Sequence, residues 1–114
     1  MDNKPGLIAN FTAEAAIEAR RFVKFSTVEG EVAAAAAGDT VLGVTTEVGA
    51  NAGQRCDVTL TQIAPVIYGA TVTQGQGLKS DANGAAIPVA AGDTPAGMAM
   101  VSGAAGEIGA VLLR

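Results

Sequence analysis

Cys56-Asp57-Val58-Thr59-Leu60-Thr61-Gln62-Ile63 alternates apolar with polar side chains at a period of two, the pattern of a β-strand that buries one face and wets the other. Val, Ile and Thr also suit a pleated, half-buried surface. The stretch predicts one strand over 56–63 and sets the expectation for its neighbours. Val66 to Val72, Gly77 to Ser80, Ala86 to Ala90, Gly97 to Ser102 and Ile108 to Leu113 follow it. Arg21 to Thr27, Val32 to Ala36 and Val41 to Val48 precede it, and every run is short and bounded by Gly, Asn, Asp or Pro. Val28-Glu29-Gly30-Glu31 and Asp81-Ala82-Asn83-Gly84 read as turns, Asn-Gly being a strong hairpin signal. Many short strands at this spacing predict an all-β barrel or sandwich. Only Thr12 to Ala19 is ambiguous. Thr12 could cap a helical turn with Glu14 and Glu18 one turn apart, while the residues after it alternate like a strand.

An internal echo divides the chain in two. Ala36-Ala37-Gly38-Asp39-Thr40 recurs as Ala90-Ala91-Gly92-Asp93-Thr94, an offset of 54 residues, and Gly30/Gly84, Gly43/Gly97 and Gly49/Gly103 keep the same offset. One deletion in the following turn brings Val58-Thr59-Leu60 opposite Val111-Leu112-Leu113. Two related β units are therefore expected. Gly38-Asp39 and Gly92-Asp93 would be equivalent turns, with Gly supplying positive φ and Asp bonding nearby amides. A metal held by the two aspartates is the other reading, but a hard cation takes several oxygen ligands and each Asp stands alone.

The 114 residues fit one domain with one core. Half are apolar, but much of that share is Ala and Gly. Three Phe, one Tyr and no Trp leave little large apolar surface to bury. A thin core of this kind favours an oligomer or a docked partner. The net charge of −4 and only seven Lys and Arg argue against nucleic acid, whose phosphates need a clustered basic surface. Arg20, Arg21 and Lys24 form the one basic group, read either as a solvated strand end or as a phosphate site. Cys56 is the sole cysteine, so no intrachain disulfide is expected and the thiol reads as a small hydrophobe. No signal peptide or membrane span is legible, which leads us to expect a protein made in the cytoplasm.

Catalytic chemistry is scarce. The absence of His removes the commonest general base, most zinc sites and every Ser-His-Asp or Cys-His arrangement. Glu29 and Glu31 are the closest acidic pair, on a turn where both would be solvated. Gly75-Gln76-Gly77-Leu78-Lys79-Ser80 resembles a phosphate-binding loop only briefly, because the glycine required immediately before the Lys and the one five residues earlier still are Leu78 and Thr73. No catalytic residue, cofactor or metal is assigned. A rival reading is a carrier domain modified on Lys79, since a Lys near a tight turn in a repeated small barrel is similar to biotinyl and lipoyl modules. Leu78-Lys79-Ser80 matches neither of their local sequences.

Residues 1–11 mix Pro, Gly and Asn with Leu7, Ile8 and Phe11 and follow neither period. They read as an N-terminal arm ahead of a single β domain over 12–114. Its three large apolar side chains could anchor a partner or tuck back onto the domain's own core, and both readings stand. Tyr68, Met98 and Met100 are either contact residues or ordinary packing.

Ala19-Arg20-Arg21-Phe22-Val23-Lys24, Gly38-Asp39 to Gly43-Val44 and Ile63-Ala64-Pro65-Val66 are followed by Leu78-Lys79-Ser80-Asp81-Ala82-Asn83-Gly84. Gly97-Met98-Ala99 and Gly106-Glu107-Ile108 to Leu112-Leu113 complete the series. In this order the chain resembles the cement, or head decoration, proteins of tailed-bacteriophage capsids. The resemblance implies a small barrel or tulip-like β fold and a structural, non-enzymatic role. It implies homotrimers on the outer face of the virion shell, binding neighbouring major capsid subunits and stabilising the expanded head. On that reading Lys4, Pro5, Leu7, Ile8 and Phe11 of the arm, with Arg20 and Arg21, are the capsid-binding candidates.

Overall fold

Short alternating runs cut by turn residues fold as strands that bend before they grow long. A computed structural model describes residues 7–37, 39–90 and 92–113. Ten strands carry them: β1 (Ile8–Ala13), β2 (Phe22–Phe25), β3 (Glu31–Ala34), β4 (Gly43–Thr45), β5 (Arg55–Thr59), β6 (Gln62–Ile67), β7 (Gly77–Ser80), β8 (Ala86–Pro88), β9 (Gly97–Ala99) and β10 (Ile108–Leu113). No helix occurs among the described residues. The ambiguous segment after Thr12 is the end of β1 followed by a bridge between Ile17 and Ala50.

The first five strands close a barrel in the order β1-β3-β2-β4-β5. β5 returns to β1 along an antiparallel ladder from Ile8↔Thr59 to Thr12↔Arg55, and β1 meets β3 in parallel at Thr12↔Glu31 and Ala13↔Val32. The second five form a sheet ordered β6-β10-β9-β7-β8. Exchanging β6 for β1, β10 for β5, β9 for β4, β7 for β2 and β8 for β3 turns one order into the other. The parallel β1–β3 contact survives as a single bridge, Tyr68↔Ala86.

The echo is thus a structural duplication. The Ala36 amide donates to Asp39 Oδ2 at 2.8 Å, and the Ala90 amide to Asp93 Oδ2 at 2.9 Å. The Asn51 amide bonds Gln54 Oε1, and the Ala104 amide bonds Glu107 Oε1. Gly43 and Gly97 are equivalent by close approach. A Cβ on Gly97 would lie 2.5 Å from the Leu112 carbonyl oxygen and 2.6 Å from Val111 Cγ2, and one on Gly43 would strike the Thr59 carbonyl and Val58 Cγ1. Of the echoed turn residues, Gly38 and Ala91 lie outside the described residues.

Two expectations need correction. Residues 56–63 are two strands. The ladder ends at Thr59, Leu60 and Thr61 lead out of the barrel, and Gln62 takes φ 69° to open the second sheet. Alternation is local and cannot tell whether successive inward side chains enter the same interior. Val58 faces the barrel core, whereas Ala64 faces the other. There are accordingly two core clusters where one was expected. Ala13, Ile17, Val23, Val32, Ala50, Cys56 and Val58 fill the barrel. Tyr68, Leu78, Val66, Val72 and Val111 lead the second cluster, which also takes in Phe22, Ala35 and Val44 from the first unit. β2 buries both faces, Val23 into its own barrel and Phe22 into its neighbour.

The arm boundary also shifts. Ile8 to Phe11 are paired strand that helps close the barrel, so of residues 1–11 only Leu7 is described outside a strand.

Candidate functional site

Alternation along β1 decides which apolar side chains at this end reach solvent. Phe11 turns inward, half-buried against the barrel core and edge-on to Phe25 with ring centroids 6.1 Å apart. Ile8 remains 45 % exposed and Leu7 60 %. The Leu7 backbone is nevertheless held: its amide donates to Thr61 Oγ1 at 2.9 Å and its carbonyl accepts from the Leu60 amide at 2.8 Å. Leu7 and Ile8 therefore present their side chains from a tied backbone, and Phe11 packs on its own domain. Lys4 and Pro5 lie outside the described residues.

Arg20 and Arg21 diverge because a turn at Ala19 and Arg20 precedes β2. Arg20 takes φ 56° and joins Ile8, Thr46, Glu47 and Pro65 around a depression of about 300 Å³. Arg21 turns the other way. Its guanidinium pairs with Glu18 at 2.6 Å and donates to the Asn83 carbonyl at 3.2 Å, tying the first unit to the hairpin of the second. The Phe22 amide adds a bond to the Gly84 carbonyl at 2.8 Å. The structure thus brings together Ile8 and Arg20, with Leu7 adjoining in sequence, and sends Arg21 and Phe11 into internal contacts.

The duplicated Asp turns meet at a cleft of about 390 Å³ lined by Asp39, Thr40, Lys79, Asp93, Thr94 and Pro95 among others. Each carboxylate has its own lysine: Lys24 lies 3.0 Å from Asp39 and Lys79 2.6 Å from Asp93. The Ala36 amide, and then Lys24, hold the Asp39 carboxyl below the usual range. Lys79, and then the Ala90 amide, do the same for Asp93. Among the described residues no group of three or more metal-ligating side chains gathers. Lys79 sits inside β7, opposite Ile87, with its amine on Asp93. A carrier lysine needs the tip of a hairpin and a free amine, so the geometry gives the modified-Lys79 reading no support. Burial, and then Asp57, push the Cys56 thiol up, which disfavours the reactive thiolate.

Tyr68 is core. Its ring is fully buried and its hydroxyl donates to the Val101 carbonyl at 2.7 Å. Met98 and Met100 are half-buried. Sequence reasoning missed a surface on β6 and β10. Ile67↔Ile108, Pro65↔Ala110 and Ile63↔Leu112 are cross-strand pairs on the side away from Val66 and Val111. Ile108 is 54 % exposed. The alternation of Ala64 and Val66 with three other apolar residues was the legible signal, hidden because both faces of β6 are apolar.

The fold is shared with a solved structure. The head fiber gp8.5 N base of bacteriophage phi29 superposes with a TM-score of 0.79 over 95 % of this chain and 93 % of that one, at 19 % sequence identity. No curated protein matches. The family model described as phage cement protein matches residues 2–114. With that match spanning nearly the whole chain and the strands in their expected order, the chain belongs to the phage cement protein family.

Proposed function

We propose that this protein binds the outer surface of a phage head as a homotrimer, bridges neighbouring major capsid subunits and stabilises the expanded shell, without enzymatic activity. The observation that carries the reading is the family match over residues 2–114. The family gives a capsid-associated structural role, and bridging is the step added here. Leu7, Ile8 and Arg20 support it as a contact patch. Two exposed aliphatic side chains beside a cation on a tied backbone can dock with little loss of chain entropy. A protein that binds only the assembled shell stabilises it by mass action, by about 2.7 kcal/mol per site when free protein is at roughly a hundred times Kd. It is made in the host cytoplasm and joins the virion from there.

The test is to mix purified protein with heads stripped of it and with unexpanded heads. Saturable binding to expanded heads alone is expected, and Leu7→Ser with Ile8→Thr should weaken it. Equal binding to both head forms, or none, would overturn the bridging reading.

A further inference from the structure

The duplication supplies an internal control for every surface of the fold. On the β1–β5 ladder the outward pairs are Asn10↔Asp57 and Thr12↔Arg55, with Ile8 opposite Thr59, and Arg55 pairs with Asp57 at 2.9 Å. The equivalent pairs on β6–β10 are Pro65↔Ala110, Ile67↔Ile108 and Ile63↔Leu112, with Met98 of β9 beside Leu112. Along these pairs the first unit is polar or charged at Asn10, Thr12, Arg55, Asp57 and Thr59 and aliphatic only at Ile8, whereas the second unit is aliphatic throughout. Farther along the same face of the first unit, Phe22 and Val44, in register with Thr59, are buried in the second core cluster.

None of the side chains in the β6–β10 pairs belongs to either core cluster. Their inward neighbours Ala64, Val66, Val111 and Leu113 do the filling, while Ile63, Pro65, Ile67, Ala110 and Leu112 stay half-buried and Ile108 is more than half exposed. The three pairs carry no charge. Arg20 and Glu47 border the face at Pro65, but within the pairs themselves phosphates, cations and charged peptides find nothing to pair with, and the centre of the face suits an apolar occupant.

We propose that the outer face of β6 and β10 is the contact between copies of this chain, with Ile67, Ile108 and Leu112 at its centre. This rests on the self-association contained in the reading above. Two arguments select a second copy over the shell. The apolar face is about 20 Å by 14 Å from strand rise and spacing, near 300 Å² where a stable pairwise interface needs roughly 800 Å² per partner. It is sized as the apolar centre of a larger interface with a polar rim. Charge-free aliphatic centres also mark permanent homo-oligomers, whereas surfaces of partners made apart are no more apolar than the rest of the protein. A copy of the same chain is present from synthesis onward and covers the face before any head exists.

The experiment is sedimentation and light scattering of the full chain over a concentration series, with Ile108→Glu and, as the control at the equivalent place in the first unit, Arg55→Glu. Wild type and Arg55→Glu are expected to associate alike, and Ile108→Glu to move the dissociation midpoint up by roughly tenfold or more while keeping a native far-UV spectrum. In case Ile108→Glu does not fold, Ile108→Thr is read in the same concentration series, with Arg55→Thr as its control. A wild type that stays a single chain overturns the proposal, as does a folded Ile108→Glu or Ile108→Thr whose association is unchanged. Head binding is scored separately. A monomer that still decorates heads sinks this inference alone, and an oligomer that ignores heads sinks only the capsid reading.

Discussion

Tyr68 fills the second unit because Gly109 leaves the space for it: a Cβ at Gly109 would fall on the phenol ring. The ring is fully buried and its hydroxyl is satisfied by the Val101 carbonyl. Gly109→Ala therefore overpacks a site whose backbone is fixed in a ladder on β10, and we expect a loss of about 1–3 kcal/mol in urea unfolding. Tyr68→Phe, which removes the hydroxyl's bond, should cost only about 1 kcal/mol. Gly109→Ala as stable as wild type would show that the ring moves freely. The two turn aspartates set an acid dependence. Their carboxyls are held below 3.8 in the fold, so their contribution is present above that value and disappears as pH falls through the folded pKa. Asp39→Asn with Asp93→Asn should lower the melting temperature at neutral pH, and the gap to wild type should close below about pH 3.8. A gap that persists at low pH would assign the effect to the amide substitution.

The strand β2 joins the two units more tightly than their duplication requires. Phe22 lies in the second core while Val23 lies in the first, and Ser80 Oγ donates to the Ala35 carbonyl at 3.2 Å across the same seam. Phe22→Ala should destabilise by about 3–5 kcal/mol and leave one transition, with fluorescence and circular dichroism melting together. Two separated transitions would mean that the units fold alone. β1 has a matching consequence at the terminus. Removing residues 2–11 takes four of the five paired positions of its ladder with β5 and opens the barrel. That deletion should lose the cooperative transition, and a chain that still melted sharply would show that the barrel closes without β1.

At the scale of the molecule, two small cores made largely of Ala and Val carry little large apolar surface each, and large apolar side chains are left exposed at Leu7, Ile8, Phe25, Val28, Val48 and Ile108. A structural role in the capsid needs no more chemistry than that. Stabilisation of heads through binding should follow mass action. The temperature at which stripped heads rupture should climb with added protein and level off as sites fill, whereas an effect independent of concentration would point away from site binding.

The alternating runs, the Gly-bounded turns and the echo at 54 residues determined an all-β chain made of two units, because period and turn chemistry are local properties that survive without a fold. Local pattern also placed β7 and β10 at their observed ends. It could not place the break at Leu60-Thr61, since period two continues through a change of sheet. Nor could it separate Phe11, packed inward, from Leu7 and Ile8, or Arg21, internally paired, from Arg20, because which way a side chain finds its partner depends on distant strands. Only the tertiary structure decided that β6 and β10 are apolar on both faces, and so which surface is left to meet another molecule.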